Sequence, residues 1–344
     1  MSRIKTIKLE KKYAFPLFTK SASSVPLAGN EKLVISDIWA LWDYVIKKLS
    51  FEKSFMNSLL EQAKYFYKAA EESPTKSQPL LFYYSFLNLA KVMINIDKKY
   101  GKNSFIYTHG IKEINNGKFS LSEIKIYPKK TMIKNVSAEL ANVLDDINLT
   151  RNTVIKVKDL LSHCVGIHRT YCELYKVGEV FCRLSNIELR KKGRLLEIES
   201  KIYCDDKQII LLNTAGYNVS KIGDDYIWKE SYTMTNSNIT RNDYYHFSKY
   251  LRDKGIWYFI GRDGYTKYLS TNTANRYSPE FIVYNTMFYL GSITRYHPYL
   301  FDEIFSDKEQ WLMSEFLKTQ PKQFLYLATS KILGQFVLQA GVSF

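Results

Sequence analysis

The fold of this chain is decided by the stretch PEFIVYNTMFYLGSITRYHP, residues 279–298. Ser278 precedes it as a suitable N-cap, and Pro298 ends it because proline has no N–H group to continue a helix. Arg295 and His297 lie on the last turn, at the polar end of an otherwise apolar segment. The sequence therefore predicts a mostly buried helix over residues 279–296, whose end is either a helix-terminating device or a site. Its apolar residues recur at an approximately helical period: Phe281, Tyr284, Phe288 and Ile293.

A second apolar segment, Pro79 to Ile96, is expected to pack against this helix. It imitates a membrane span, but its polar residues fall three or four apart and form one helical stripe. A lipid-facing helix would not carry Lys91 at mid-span, so we expect a buried helix and no membrane span. Two helices are predicted before it, the first capped by Ser36 and the second ending at Ser73-Pro74. The polar stripe consists of Ser85, Asn88, Lys91 and Asn95.

The middle of the chain predicts short strands and helices, and its last part returns to helices. We expect strands at Ser104–Tyr107, Leu121–Tyr127, Glu179–Leu189, Arg194–Cys204, Gln208–Leu212 and Tyr226–Met234, the third to fifth of them forming a meander. Helices are expected near residues 137–147 and 157–176, then at Asn242–Lys254, at Lys308–Lys318 with Asp307 as cap, and from Pro321 to about Gln339.

These patterns predict an α+β protein that is mainly helical. Its helical core is built from the N-terminal and C-terminal parts, with a central antiparallel β-rich region between them in the sequence. The expected divisions are an irregular N-terminal arm (1–35), a helical part of the core (36–100), a mixed region with the β-meander (101–240) and a C-terminal helical part (241–344).

The chain has 344 residues, with 49 Lys and Arg against 34 Asp and Glu, which gives a formal net charge of +15. Such a balance favours an acidic partner, and RNA or DNA is the partner we expect. A second interpretation stays open, because Lys far outnumbers Arg and the chain is rich in Ile, Asn, Tyr and Phe, as AT-rich coding produces regardless of function. No P-loop, GxSxG or strand–GxGxxG–helix pattern occurs, which excludes the corresponding nucleotide-binding and hydrolase classes.

The four Cys residues have no CxxC spacing, and no apolar leader follows Met1, so we expect free thiols in the cytoplasm. Cys164, His168 and Cys172 share a helix face at spacings of four and are of the residue types that bind zinc. A fourth ligand is not evident, and buried structural residues are the favoured interpretation. We predict no metal and no cofactor.

Several motifs together resemble the YaaC-like protein family. They are Leu81–Lys91 (LFYYSFLNLAK), His109-Gly110, Asp159–His163 (DLLSH) and Ser292–Pro298 (SITRYHP). Their order along the chain extends from about residue 35 to the C-terminus. The resemblance implies a bacterial protein with relatives beside phage-defence genes, but it supplies no mechanism. It places six residues in a polar seam shared with the family: Ser85, Asn88, Lys91, His109, Arg295 and His297.

This polar seam is the first candidate site. If the helices at 79–99 and 279–297 pack together, Asn88 and Lys91 approach Arg295, with His109 nearby. Cations around an amide bind a phosphate or carboxylate well. The alternative is that these groups satisfy one another in the core, since buried polar groups must be paired.

The second candidate is Arg241-Asn-Asp-Tyr-Tyr-His246, which resembles the Arg-x4-His motif of HEPN ribonucleases. In that mechanism, which needs no metal, His246 would move the proton of the 2′-hydroxyl or of the leaving oxygen while Arg241 steadies the phosphate. Paired HEPN sites usually form across a dimer, so this interpretation includes a homodimer. The alternative is a helix start in which Asn242 or Asp243 is the N-cap.

The leading functional hypothesis is a nucleic-acid-associated protein that serves in phage defence, with HEPN-like ribonuclease activity as its enzymatic form. Two alternatives stay open. One is a non-enzymatic scaffold whose helical core docks a protein partner, and the other is a binder of a small anionic nucleotide or metabolite at Lys91, Arg295 and His297.

Overall fold

The computed structural model describes residues 5–7, 32–48, 53–97, 106–115, 118–127, 133–150, 153–235, 240–261, 264–272 and 277–340. These residues form the helices α1 Ile38–Lys48, α2 Lys53–Glu72, α3 Gln78–Ile96, α4 Val136–Asp145, α5 Val157–Ser162, α6 His168–Tyr175, α7 Asp206–Thr214, α8 Arg241–Asp253, α9 Pro279–Tyr296, α10 Pro298–Ile304 and α11 Glu309–Leu333. The strands are β1 Lys5–Ile7, β2 Leu33–Ile35, β3 Ile106–Thr108, β4 Ile111–Ile114, β5 Glu123–Ile126, β6 Ile133–Asn135, β7 Thr153–Lys156, β8 Phe181–Lys192, β9 Leu195–Tyr203, β10 Asn218–Ile222, β11 Asp225–Thr233, β12 Ile256–Gly261, β13 Gly264–Ser270 and β14 Val337–Gln339. The predicted α+β class with mainly helical content is confirmed.

The centre of the helical core is the antiparallel pair α3 and α9. Tyr83 contacts both Tyr284 and Phe288, with ring centroids 6.0 and 5.3 Å apart. Helix α11 closes the other side, where the rings of Phe86 and Phe324 stack at 4.1 Å. A single apolar cluster joins α1, α2 and α3 to α9 and α11, so the N-terminal and C-terminal parts share one core as predicted.

A seven-stranded antiparallel sheet lies beside this core, and six of its strands follow the order β10-β11-β9-β8-β13-β12. Strand β1 also pairs with β8, with Lys5 opposite Lys191. The apolar side of the sheet forms a second cluster around the fully buried Trp228, and Phe247 and Leu251 of α8 pack into it. The antiparallel β-rich region was predicted, but β10, β12 and β13 were not.

The predicted strand at Gln208–Leu212 is wrong, because these residues lie in α7. The Asp205 side chain accepts from the backbone N–H of Gln208 at 2.8 Å, and the Gln208 side chain accepts from the backbone N–H of Asp205 at 3.0 Å. This capping box supplies partners for the otherwise unpaired donors at the helix start. It outweighs the strand preference of a short apolar run.

The two helices predicted after Asp307 are one helix, α11, with Pro321 in its interior. A proline there removes one backbone hydrogen bond and costs about 3 kcal/mol. Phe316 and Phe324, on either side of it, are both fully buried, and this burial keeps the helix continuous. It ends at Gly334 in the left-handed conformation, and β14 then pairs in parallel with β2 instead of extending the helix to Gln339.

Helix α3 is the one described helix that is long and apolar enough to cross a membrane, and 78% of its apolar window is buried inside the protein. Helices α2, α4, α9 and α11 contact it. This packing is that of a core helix.

Candidate anion-binding cleft

A cleft of about 190 Å³ opens where the N-terminal end of α3 meets the C-terminal end of α9. The turn between β3 and β4 forms its third wall. Gly291 allows α9 to lie close to α3, because a Cβ atom at this position would lie 3.3 Å from both Pro79 O and Tyr83 Cβ. The polar and aromatic lining consists of Tyr83, Tyr84, His109, Glu113, Phe288, Ser292, Arg295 and Tyr296.

Arg295 brings a cation to this cleft. Its Nη1 donates to Tyr84 Oη at 3.1 Å, and its guanidinium carbon lies 5.0 Å from the centre of the Tyr296 ring. Within the described parts of the chain, no carboxylate lies within ion-pair distance of Arg295, and its side chain is exposed. The position also suits a cation, because the C-terminal end of a helix carries partial negative charge. The guanidinium is therefore held in place while its charge is available to a ligand.

His109 faces the same cleft because of the turn that follows it. Gly110 has φ +59°, and a side chain there would collide with Asn135. Asn135 Nδ2 donates to Gly110 O at 2.6 Å and to Tyr127 O at 2.8 Å, which fixes the turn. The imidazole Nδ1 of His109 lies 2.5 Å from Tyr83 Oη. The imidazole of His109 is thus held in position by a turn whose next residue, Gly110, has the left-handed backbone conformation that glycine adopts easily.

The surroundings of His109 favour its neutral form. Burial lowers the pKa of His109, and the nearby charges of Lys91 and Arg295 lower it further. Burial likewise lowers the pKa of Lys91. Since two cations already act on this imidazole, an anion in the cleft would relieve their mutual repulsion.

His297 and Glu113 form a polar pair beside the cleft. His297 Nε2 lies 3.5 Å from Glu113 Oε1, and Glu113 lines the cleft with 16% of its side chain exposed. Glu113 therefore faces His297 at one side of the cleft. His297 also joins α9 to α10, where Pro298 stops the first helix and starts the second.

The structure divides the predicted polar seam. Ser85 Oγ donates to Ala63 O at 2.7 Å, and Asn88 Nδ2 donates to Gln62 Oε1 at 3.2 Å. Both partners are on α2, so Ser85 and Asn88 each have a hydrogen-bond partner on that helix, and their role in an anion site stays a prediction. Lys91 Nζ lies 3.5 Å from Asn88 Oδ1 and still acts electrostatically on His109.

Arg241 and His246 lie on α8, away from this cleft. Thr240 is the N-cap of this helix, and it shares a capping box with Asp243. The predicted N-cap, Asn242 or Asp243, is therefore wrong. His246 is exposed, with its ring centroid 4.9 Å from that of Tyr245. The Arg241 side chain lies outside the described residues, and the catalytic pairing stays a prediction.

Cys164, His168 and Cys172 have structural partners. His168 Nε2 accepts from Val180 N at 3.0 Å, and Nδ1 bonds to Ser162 O at 2.8 Å. A carbonyl only accepts, so Nδ1 carries the proton and the Nε2 lone pair is occupied. Cys172 Sγ lies 3.3 Å from Nε2, but burial raises the pKa of this thiol to about 11. Within the described residues, no group of three or more Cys, His, Asp or Glu is arranged to hold a metal.

Sequence reasoning missed the tyrosines and Glu113 of the cleft. Tyr84 lies four residues before Asn88 and therefore shares the face of the stripe, whereas Tyr83 points in another direction. The pairing of His297 with Glu113 joins residues far apart in sequence. The local signals were Tyr84, at helical spacing from Asn88, and Tyr296, directly between Arg295 and His297.

A buried charge cluster was also missed. Lys331 Nζ lies 2.8 Å from Asp145 Oδ1 and 3.1 Å from Glu280 Oε2, and the side chains of Lys331 and Glu280 are completely inaccessible. Burial alone would lower the pKa of Lys331, but Asp145 and Glu280 raise it overall. Burial raises the pKa of Glu280, an effect that Lys331 opposes. The cluster joins α4, α9 and α11 inside the core, so we assign it a structural role.

Comparison with known proteins identifies the family to which this chain belongs. No match was found among curated proteins or among solved structures. The family model described as "YaaC-like Protein" matches residues 6–332, which is nearly the whole chain. The resemblance carried by the ordered motifs is thereby confirmed, and the chain belongs to the YaaC-like protein family.

Proposed function

We propose that this protein binds single-stranded nucleic acid and that the cleft between α3 and α9 holds one phosphate of the strand. The observation that carries the proposal is the convergence of Arg295 and His109 on one cleft, within the electrostatic reach of Lys91. A guanidinium fixed in position is well suited to a phosphate because its N–H groups match the phosphate oxygens in pairs.

The size and walls of the cleft favour a strand over an enclosed small molecule. Small-molecule pockets usually measure about 300–1,000 Å³, whereas this cleft measures about 190 Å³. Exposed aromatic rings continue the surface beyond it: Tyr296 is 57% and Tyr299 is 91% exposed. Bases stack on such rings without sequence preference. The net charge of +15 adds long-range attraction to any phosphate backbone.

The test is fluorescence anisotropy with labelled single-stranded RNA and DNA at low and then rising salt. Arg295→Ala should weaken binding by about 10- to 100-fold, because a charge-assisted contact contributes about 1.5–3 kcal/mol. It should also lessen the salt dependence. The matched control is Arg169→Ala, since Arg169 is 88% exposed and pairs with Glu179 at 3.0 Å on another part of the surface.

The other outcomes separate the alternatives. Equal binding by Arg295→Ala and the unaltered protein would contradict the assignment of the cleft. Absence of binding to RNA and DNA even at low salt would refute the proposal and favour the scaffold that docks a protein. Tighter binding of a mononucleotide than of an oligonucleotide would favour the small-anion alternative.

The finer parts of the hypothesis stay predictions. A HEPN-like ribonuclease at Arg241 and His246 predicts RNA cleavage in the presence of a metal chelator, lost in His246→Ala, together with a homodimer. A defence role predicts that cells carrying the protein resist phage and that Arg295→Ala cells do not. A cytoplasmic location is expected with either role.

A further inference from the structure

Cys182 and Cys204 lie opposite each other at one end of the β8–β9 pair. The antiparallel register aligns Arg183 with Tyr203, so the next position outward sets Cys182 against Cys204. Opposite residues in antiparallel strands have Cα atoms about 4.5–5.5 Å apart. A disulfide needs about 4.4–6.8 Å. Cys204 directly follows β9, and extending the register by this one position gives the spacing that a disulfide between the two residues requires.

The two thiols have different surroundings. Cys182 is completely buried in the apolar cluster of the sheet, whereas Cys204 is partly exposed and packs against that cluster. The contact between the two thiols lowers the pKa of Cys204, and the same contact together with burial raises that of Cys182. Cys204 is the thiol of the pair that a dissolved reagent can reach, so it is the one that reacts first.

We propose that Cys182 and Cys204 form a redox-reactive dithiol, oxidised by hydroperoxides to a disulfide across β8 and β9. This inference is independent of nucleic-acid binding, because it concerns the sheet and uses none of the residues of the cleft.

The chemistry proceeds in two balanced steps. The Cys204 thiolate attacks the terminal oxygen of hydrogen peroxide, the O–O bond breaks, and the released hydroxide takes a proton to become water. The resulting sulfenic acid is attacked by the Cys182 sulfur, an S–S bond forms, and the sulfenic oxygen leaves as a second water with the thiol proton. Two thiols lose two electrons and two protons in total, and one peroxide is reduced to two waters.

The remaining cysteines are poor competitors. Cys164 is buried and bonds to Leu160 O at 3.7 Å, and burial raises the pKa of its thiol. Cys172 is also buried, next to His168, and its pKa is raised as well. A reactive cysteine needs a stabilised thiolate and access to the reagent. Only Cys204 among the four combines the two.

The experiment treats the full-length protein with a small excess of hydrogen peroxide, blocks the remaining thiols and maps peptides by mass spectrometry without reduction. We expect an intact mass lower by two hydrogen atoms, one Cys182–Cys204 linked peptide, and recovery of both thiols with dithiothreitol. Cys204→Ser should stay unoxidised. Cys182→Ser should instead accumulate a sulfenic acid at Cys204 that a dimedone probe traps.

Free Cys182 and Cys204 after peroxide treatment would overturn the inference, as would a disulfide that joins two chains through Cys204. Cys164→Ser serves as the control that should keep the linked peptide. Because Cys182 is buried, Cys182→Ala is prepared beside Cys182→Ser and both are checked by circular dichroism. The peptide map of the unaltered protein decides the matter even if neither variant folds.

Discussion

At the scale of single residues, His109 couples the cleft to pH. Its pKa is lowered by burial and by the charges of Lys91 and Arg295, so the imidazole is neutral at neutral pH in the empty cleft. A bound phosphate would offset those two cations and favour protonation. Binding then takes up a proton, and affinity must rise as the pH falls.

We therefore predict that RNA affinity increases from about pH 7.5 to pH 5.5, by at most about tenfold per pH unit, the limit for one proton. His109→Gln should flatten this dependence, while His246→Ala, with its exposed imidazole on α8, should keep it. Anisotropy titrations at constant ionic strength measure both. Phosphodiesters do not titrate in this interval, so a slope that survives in His109→Gln would contradict the assignment.

At the scale of elements, the α3–α9 crossing depends on Gly291. A Cβ atom at this position would lie 3.3 Å from Pro79 O and 3.4 Å from Leu80 Cα, both of them backbone atoms. Backbone cannot yield as a flexible side chain does. Gly291 thus brings the helices close enough to form the cleft floor, although a glycine inside a helix costs about 1 kcal/mol relative to alanine.

We predict that Gly291→Val lowers the free energy of unfolding by about 1–3 kcal/mol, because overpacking forces the helices apart. It should also weaken RNA binding by displacing Arg295. Urea unfolding followed by circular dichroism measures the first effect and anisotropy the second. Gly178→Val is the matched control, since an added Cβ there meets no atom within 4 Å. Equal losses in the two variants would mean that the crossing tolerates a side chain.

The same elements explain what sequence could predict. Helix α9 was predicted over its observed range because its signals are local: Ser278 Oγ accepts from Phe281 N at 3.3 Å, and Pro298 begins the next helix. Helix α7 was missed although its capping box is also local. The prediction that a new helix starts at Pro321 was wrong, because the burial that keeps a helix continuous on both sides of a proline is decided by tertiary packing.

The candidate site was predictable in part for the same reason. Arg295 and His297 follow from where α9 ends, whereas His109 was expected only from the family resemblance, through the His109-Gly110 motif. The direction of the Ser85–Asn88 stripe was not predictable, because a helical period says which residues share a face but not which helix covers it. In the structure that helix is α2, through Ala63 and Gln62.

At the scale of the whole molecule, buried phenols and the fully buried ammonium of Lys331 help to hold the core together. Lys331 pairs with Asp145 and Glu280 and so joins the middle of the chain to its C-terminal part. The chain has 27 Tyr, many of them buried. Burial raises the pKa of Tyr171, Tyr250, Tyr289 and Tyr326 to about 12. These groups make the folded state sensitive to alkali.

We predict that the free energy of unfolding is constant to about pH 9 and falls steeply from about pH 10 upwards. In the unfolded chain each tyrosine ionises near its ordinary pKa of about 10 and Lys331 loses its proton near 10.5. In the folded protein the raised pKa values keep these groups protonated. The stability that the groups contribute is therefore complete below their pKa values in the unfolded chain, and it is lost as the pH rises towards their pKa values in the folded protein. Tyrosinate absorbance should therefore rise together with the loss of helical circular dichroism. Tyr326→Phe removes one such group and should make the fall shallower. Ionisation of the buried phenols well before unfolding would show that water reaches them in the native core.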